Sequence, residues 1–147
     1  MIARSYKDLC KEIQLLEMRV NELKEEYRFY SRFLDKKPAG IRTSSVAEEK
    51  VQSSHPYMSA EEAYRRCAEI NNLLIQYDEI ITNKLKAKEE MEKGMSELET
   101  LEGKINYMFH VKNMKLYEIA DELGYSYEWI RHVKSRYDKT QRQHNFS

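Results

Sequence analysis

Glycine and proline are scarce, with only four and two residues among 147. Turn positions are therefore few, which excludes sandwiches, barrels and glycine-rich nucleotide-binding folds and leaves long helices. No apolar run exceeds three residues, the length of Leu73 to Ile75, so no membrane-spanning helix is expected. The segment Met1 to Glu12 lacks the apolar stretch of a secretory signal. Cysteine is limited to Cys10 and Cys67, 57 positions apart and without metal-ligand spacing. Two reduced structural thiols in a cytoplasmic protein are the expectation. An excess of one charge is also missing, because 25 lysines and arginines balance 25 acids. No global field then draws in nucleic acid or membrane. The phosphate-cradling patterns GxxxxGK[ST] and GxGxxG are absent, as is HExxH. His55, His110 and His144 are scattered and make no ligand set. Neither catalysis nor a cofactor or metal is expected.

What the chain does have is heptad spacing. Leu9, Ile13, Leu16, Val20, Leu23, Tyr27, Tyr30 and Leu34 alternate steps of four and three, which predicts a helix from Ser5 to Leu34. A parallel in-register dimer of this helix would set Glu12 against Glu17 and Arg19 against Lys24. Both pairs repel, so a different partner is expected. Residues 35–59 break the pattern with Pro38, Gly40, Pro56 and five serines, and read as a linker with a short helical turn at Val46 to Val51. Ser59 followed by Glu61 and Glu62 marks a new helix start. The spacing resumes at Ala63, Cys67, Ile70, Leu74, Tyr77 and Ile81, with Leu73 and Ile80 widening the stripe. A wide stripe needs more than one neighbour, as in a bundle. Lys84 to Lys93 reads as a solvated charged face. Gly94 and Gly103 read as weak points or kinks.

The last quarter is the most informative. In Leu116 to Tyr137, LYEIADELGYSYEWIRHVKSRY, a short helix is set by Leu116, Ile119, Ala120 and Leu123. Gly124 follows where a left-handed cap belongs, and Ser126 can cap the next helix, whose inner face is Ile130 and Val133. Small Ala120 lets the two helices approach closely. This is helix-turn-helix spacing. On a helical wheel, Glu128, Arg131, His132 and Ser135 oppose Ile130 and Val133. Tyr127 and Lys134 lie on one flank, Trp129 and Arg136 on the other, with Trp129 expected to pack partly inward beside Val133. Arginine can bond guanine O6 and N7, and glutamate can accept from cytosine N4. Lys134, Arg136 and Lys139 are phosphate candidates, with Lys112 and Lys115 secondary. From Gly124 to Ser147 the net charge is +3, whereas Leu116 to Leu123 carries −3. Positive charge is thus segregated to the outer helix and tail.

The stretch EIADELGYSYEWIRHVKSR resembles the DNA-reading motif of region 4 of bacterial sigma factors. The whole chain is similar to the small sigma-region-4-like proteins of phages and prophages of Gram-positive bacteria, with an N-terminal helix, a linker of the type KKPAGIRTSS and a long charged helix. The resemblance implies base reading by Glu128, Arg131 and His132, and contact with RNA polymerase. The chain departs from that family in having Lys115 where a hydroxyl cap is usual, with Asn113 as a substitute. It also has Tyr127 and Trp129 where arginines are frequent.

The expectation is an all-α protein in which residues 1–98 form a coiled-coil or bundle stalk, with the linker at 35–59, and residues 99–147 a helix-turn-helix. Leu73, Leu74, Tyr77, Ile80 and Ile81 are its bundle and dimer core. Ser126, Tyr127, Glu128, Arg131, His132, Lys134, Ser135, Arg136 and Lys139 form its DNA face. Its expected partners are double-stranded DNA, a second copy and bacterial RNA polymerase, in the cytoplasm of a bacterial host and away from membranes. Two other readings compete. One is a phage-borne interaction protein that blocks a host polymerase or a defence complex without specific DNA binding. The other is the DNA-recognising small subunit of a packaging motor.

Overall fold

A computed structural model describes residues 2–35 and 58–144. Among them are five α-helices and no strand: α1 (Ile2–Asp35), α2 (Ala60–Ser96), α3 (Leu101–His110), α4 (Leu116–Leu123) and α5 (Tyr127–His144). The all-α expectation holds. The turn expected at Val46 to Val51 lies outside the described residues. No helix among those described is long and apolar enough to cross a membrane. The chain divides into two compact units, one of Met1–Gln14 with Thr82–Ser147 and one of Leu15–Ile81.

In the second unit the heptad positions face inward as the spacing predicts, except Leu34 near the end of α1, which is exposed. Leu23, Ala63, Cys67 and Ile70 are buried. Leu16, Val20, Tyr27, Tyr30, Leu74, Tyr77 and Ile81 are half-buried. Ser59 caps α2, its Oγ accepting the Glu62 N–H at 3.1 Å. Leu15, Phe29, Leu73 and Ile80 remain exposed. Arg19 of α1 bonds Glu22 at 3.0 Å and lies 3.6 Å from Glu26.

In the first unit, the first turns of α1 run antiparallel to the last turns of α2. Tyr6 Oη donates to Glu92 Oε1 at 2.7 Å, and Lys84 Nζ donates to Glu12 Oε2 at 2.7 Å. These bonds correct the reading of Lys84 to Lys93 as a solvated face at Lys84, Lys88 and Glu92 alone; Leu85, Lys86, Ala87, Glu89, Glu90 and Lys93 are exposed as that reading expects. The four-and-three spacing continues through Lys84, Lys88, Met91 and Met95, and here the first two are half-buried and Met95 is buried. Charges are tolerated in the seam because each finds a partner, Lys88 lying 3.8 Å from Glu92. Buried Tyr6 stands one heptad before Ile13 and extends the seam by a turn. Burial, then the Glu92 carboxylate, holds its hydroxyl above the usual phenol range.

Neither glycine read as a weak point breaks its helix. α2 runs through Gly94 and ends at Ser96. Thr100 starts α3, its Oγ1 accepting the Gly103 N–H at 3.2 Å. Gly103 is buried, and a Cβ added there would lie 2.6 Å from Leu98 Cβ. Its missing side chain serves close approach rather than bending.

Candidate nucleic-acid interface

Helices α3, α4 and α5 share one small core. Ile105, Ile119, Ala120, Ile130 and Val133 are fully buried, ringed by Leu101, Met108, Phe109, Met114, Leu116 and Leu123. The four core positions on α4 and α5 follow the spacing of apolar residues along those helices. Ala120 and Ile119 turn the inner face of α4 to Ile130 and Val133, which leaves the other side of α5 outside.

The turn between α4 and α5 follows from local chemistry. Gly124 adopts φ +74°, the left-handed conformation that ends a helix cheaply only at glycine. The Tyr125 N–H returns to the Ala120 carbonyl at 3.0 Å. Ser126 Oγ then accepts the Trp129 N–H at 3.2 Å and starts α5. At the other end of α4, Lys115 has no side-chain acceptor. Glu118 instead reaches back and takes the Lys115 N–H at 2.7 Å. Asn113 is not the substitute cap; it takes φ +55° in the preceding turn.

The nine residues expected on the DNA face divide into two groups. Tyr127, Glu128, Arg131, His132, Ser135 and Lys139 are exposed on the side of α5 away from its core, and Ser126 is exposed at its cap. Arg131 and Lys139 have no ion-pair partner among the described residues. Lys134 and Arg136 are engaged in ion pairs, and only Lys134 is drawn into the fold. The Lys134 side chain is only 15% exposed; its Nζ lies 3.0 Å from Asp138 and 4.4 Å from the Phe109 ring centroid. Arg136 is loosely tied, 3.9 Å from Glu102 and 60% exposed. Of the secondary candidates, Lys112 and Lys115 are exposed near the rings of Tyr107 and Tyr117.

Trp129 overturns an expectation. It does not pack inward beside Val133 but remains 43% exposed, stacked on His132 with centroids 6.0 Å apart and planes 27° apart. The wheel places it 70° or so from the centre of the buried face, where a side chain can turn either way. Tyr117, Tyr125 and Tyr127 are exposed as well. Sequence reasoning missed two supporting groups, Phe109 beneath Lys134 and Glu102 beside Arg136. Neither contact has a periodic signal, because both cross from one helix to another.

His110, at the end of α3, is half-buried. Burial first, then the charges of Lys7 and Lys134, push its pKa down to about 4, against a smaller opposing pull from Asp138. The imidazole is therefore neutral near pH 7. Among the described residues, no cluster of three or more His, Cys, Asp or Glu could hold a metal ion.

No family model, no curated protein and no solved structure matches the chain.

Proposed function

We propose that α4 and α5 are a helix-turn-helix and that the protein is a DNA-binding transcription regulator of the phage type, with α5 lying in the major groove. One observation carries this reading: α5 buries Ile130 and Val133 completely while Glu128, Arg131, His132, Ser135 and Lys139 are exposed on the opposite side. A helix anchored by one face beside a left-handed glycine turn can offer the other face to a duplex. Glu128 and Arg131, near the helix start, are suited to base edges; Arg136, Lys139 and Arg142 are suited to phosphates. On this reading the chain acts by binding and catalyses nothing.

A second copy of the chain completes the proposal. Among the described residues of the unit Leu15–Ile81 only four apolar side chains are buried, while Leu73 and Ile80 stay exposed beside the seam of Leu74, Tyr77 and Ile81. Two helices form too thin a layer to bury a wide stripe, and a matching pair from another copy supplies the missing neighbour. A contact with RNA polymerase follows only from the family resemblance. The exposed tyrosines and Trp129 favour the competing reading, a protein-docking module, because aromatics are enriched in protein interfaces.

The deciding experiment is a binding titration of the full chain on fragments of its source genome at several salt concentrations. Tight binding to a subset of fragments is expected, weakened about 10- to 100-fold by Arg131→Ala with Lys139→Ala. Equal affinity of wild type and double variant at every salt overturns the proposal.

A further inference from the structure

Trp129 is the only tryptophan in the chain, and the fold leaves it 43% exposed. It occupies the first turn of α5, the end of a reading helix that comes nearest to base edges. Its ring is not loose. It lies nearly parallel to His132, one turn on, and the two make a flat aromatic double layer on the rim of the outward face. Arg136 lies one turn beyond His132 on the same flank. An apolar surface with a cation at its edge suits a polyanion that carries an apolar spot.

Duplex DNA has one such spot in its major groove, the C5-methyl of thymine. Glu128 and Arg131 can discriminate bases by hydrogen bonds, but neither gains by meeting a methyl group. An indole face does, because both apolar surfaces leave water together. We propose that the Trp129–His132 stack is a thymine-reading element, with Trp129 against the C5-methyl and His132 held by the stack in position beside it. This rests on the reading of α5 as a groove-binding helix and adds the base that it prefers.

The test separates the two levels. The full chain is first used to select its preferred site from a random duplex library. Each thymine in that site is then replaced singly by deoxyuridine, which removes only the methyl. Wild-type protein should lose about fourfold in affinity at one or two positions, the worth of one methyl group taken from water. Trp129→Ala should bind the thymine site about as weakly as wild type binds the uracil site, and should no longer distinguish them. Trp129→Phe should recover part of the difference. Far-UV circular dichroism controls for folding of the variants, and the uracil series on wild type does not depend on them. Indifference of wild type to every methyl, in a site that still needs Arg131, overturns the thymine element alone. An undiminished uracil penalty in Trp129→Ala does the same. Failure of the library to enrich any sequence overturns the groove-binding reading, and the thymine element with it.

Discussion

Lys134 and Lys139 carry the same charge on the same helix, but the fold employs them differently. Lys134 is 15% exposed and 3.0 Å from Asp138, with the Phe109 ring beneath it. Lys139 is exposed and has no ion-pair partner among the described residues. Each cation that neutralises a phosphate releases a counterion, so the slope of log affinity against log salt steepens by about 0.9 per contact. Arg136, Lys139 and Arg142 would give one module a slope near −2.7, or about 40-fold weaker binding between about 50 and 200 mM salt. Two modules on one site double the slope, and the same interval then costs roughly 2000-fold. Lys139→Ala should therefore flatten the slope by about 0.9 for a single module and about 1.8 for a pair. Lys134→Met, which keeps the stem over Phe109, should leave the slope unchanged. Fluorescence anisotropy on one fixed duplex across a salt series measures both. Equal flattening by the two substitutions would refute the distinction between free and committed lysines, and a slope near zero in wild type would refute phosphate binding altogether.

Two further outcomes follow from the packing around α3. Unfolded His110 has the ordinary imidazole pKa of 6.5, whereas the folded value is pushed down to about 4. Between those values the unfolded chain binds a proton that the fold refuses, so the stabilising effect is complete above the upper one and is lost as pH falls towards the lower. His110→Gln should flatten the thermal midpoint measured by circular dichroism across this window; an unchanged slope would show that His110 is not its source. Gly103→Ala places a Cβ 2.6 Å from Leu98 Cβ and should cost about 1–3 kcal/mol in denaturant unfolding. Gly94→Ala meets open space within a helix and should instead stabilise by about 0.5–1 kcal/mol. Equal effects of the two alanines would contradict the close approach at Leu98.

Much of the architecture was legible because periodicity is a direct record of burial. The spacing of Ile119, Ala120, Ile130 and Val133 marked the small core, and the sequence positions of Gly124 and Ser126 marked the turn. The seam of α1 and α2 was legible where it was apolar. It became illegible where Lys84 and Lys88 took seam positions, since a lysine there reads as surface until Glu12 and Glu92 are seen beside it. The break between α2 and α3 falls at residues 97–100, between the two glycines read as weak points and at neither of them. Helix interiors tolerate a glycine, and the effective stop signal was the hydroxyl of Thr100, recognisable only by its bond to Gly103. The candidate interface was half legible. A wheel tells inside from outside for Arg131 and Val133, which lie near opposite poles. It cannot settle Trp129 and Lys134 on the flanks, where neighbouring helices decide. The buried Asn106, whose Oδ1 has no hydrogen-bond partner, left no sign in the sequence at all.

The neutrality of the whole chain is no obstacle to binding a polyanion, because what a duplex meets is the charge left over after the fold has used its own. In the unit that holds α3 to α5, Glu12 is spent on Lys84 and Glu92 on Tyr6 and Lys88. Glu118 closes the start of α4 by holding the Lys115 N–H. Asp138 and Glu102 engage Lys134 and Arg136, of which only the second pair is exposed enough to open at little cost. These five acids are thereby engaged within the fold or at helix ends, while Asp121, Glu122 and Glu128 stay exposed and Arg131, Lys139 and Arg142 on α5 face outward without an ion-pair partner among the described residues. On the proposed reading the same pairing makes local net charge an overestimate of what one module can offer a duplex: of the five basic residues after Gly124, one is already committed. Two modules acting together restore the missing charge, so the proposed second copy and the proposed groove contact stand on the same electrostatic ground.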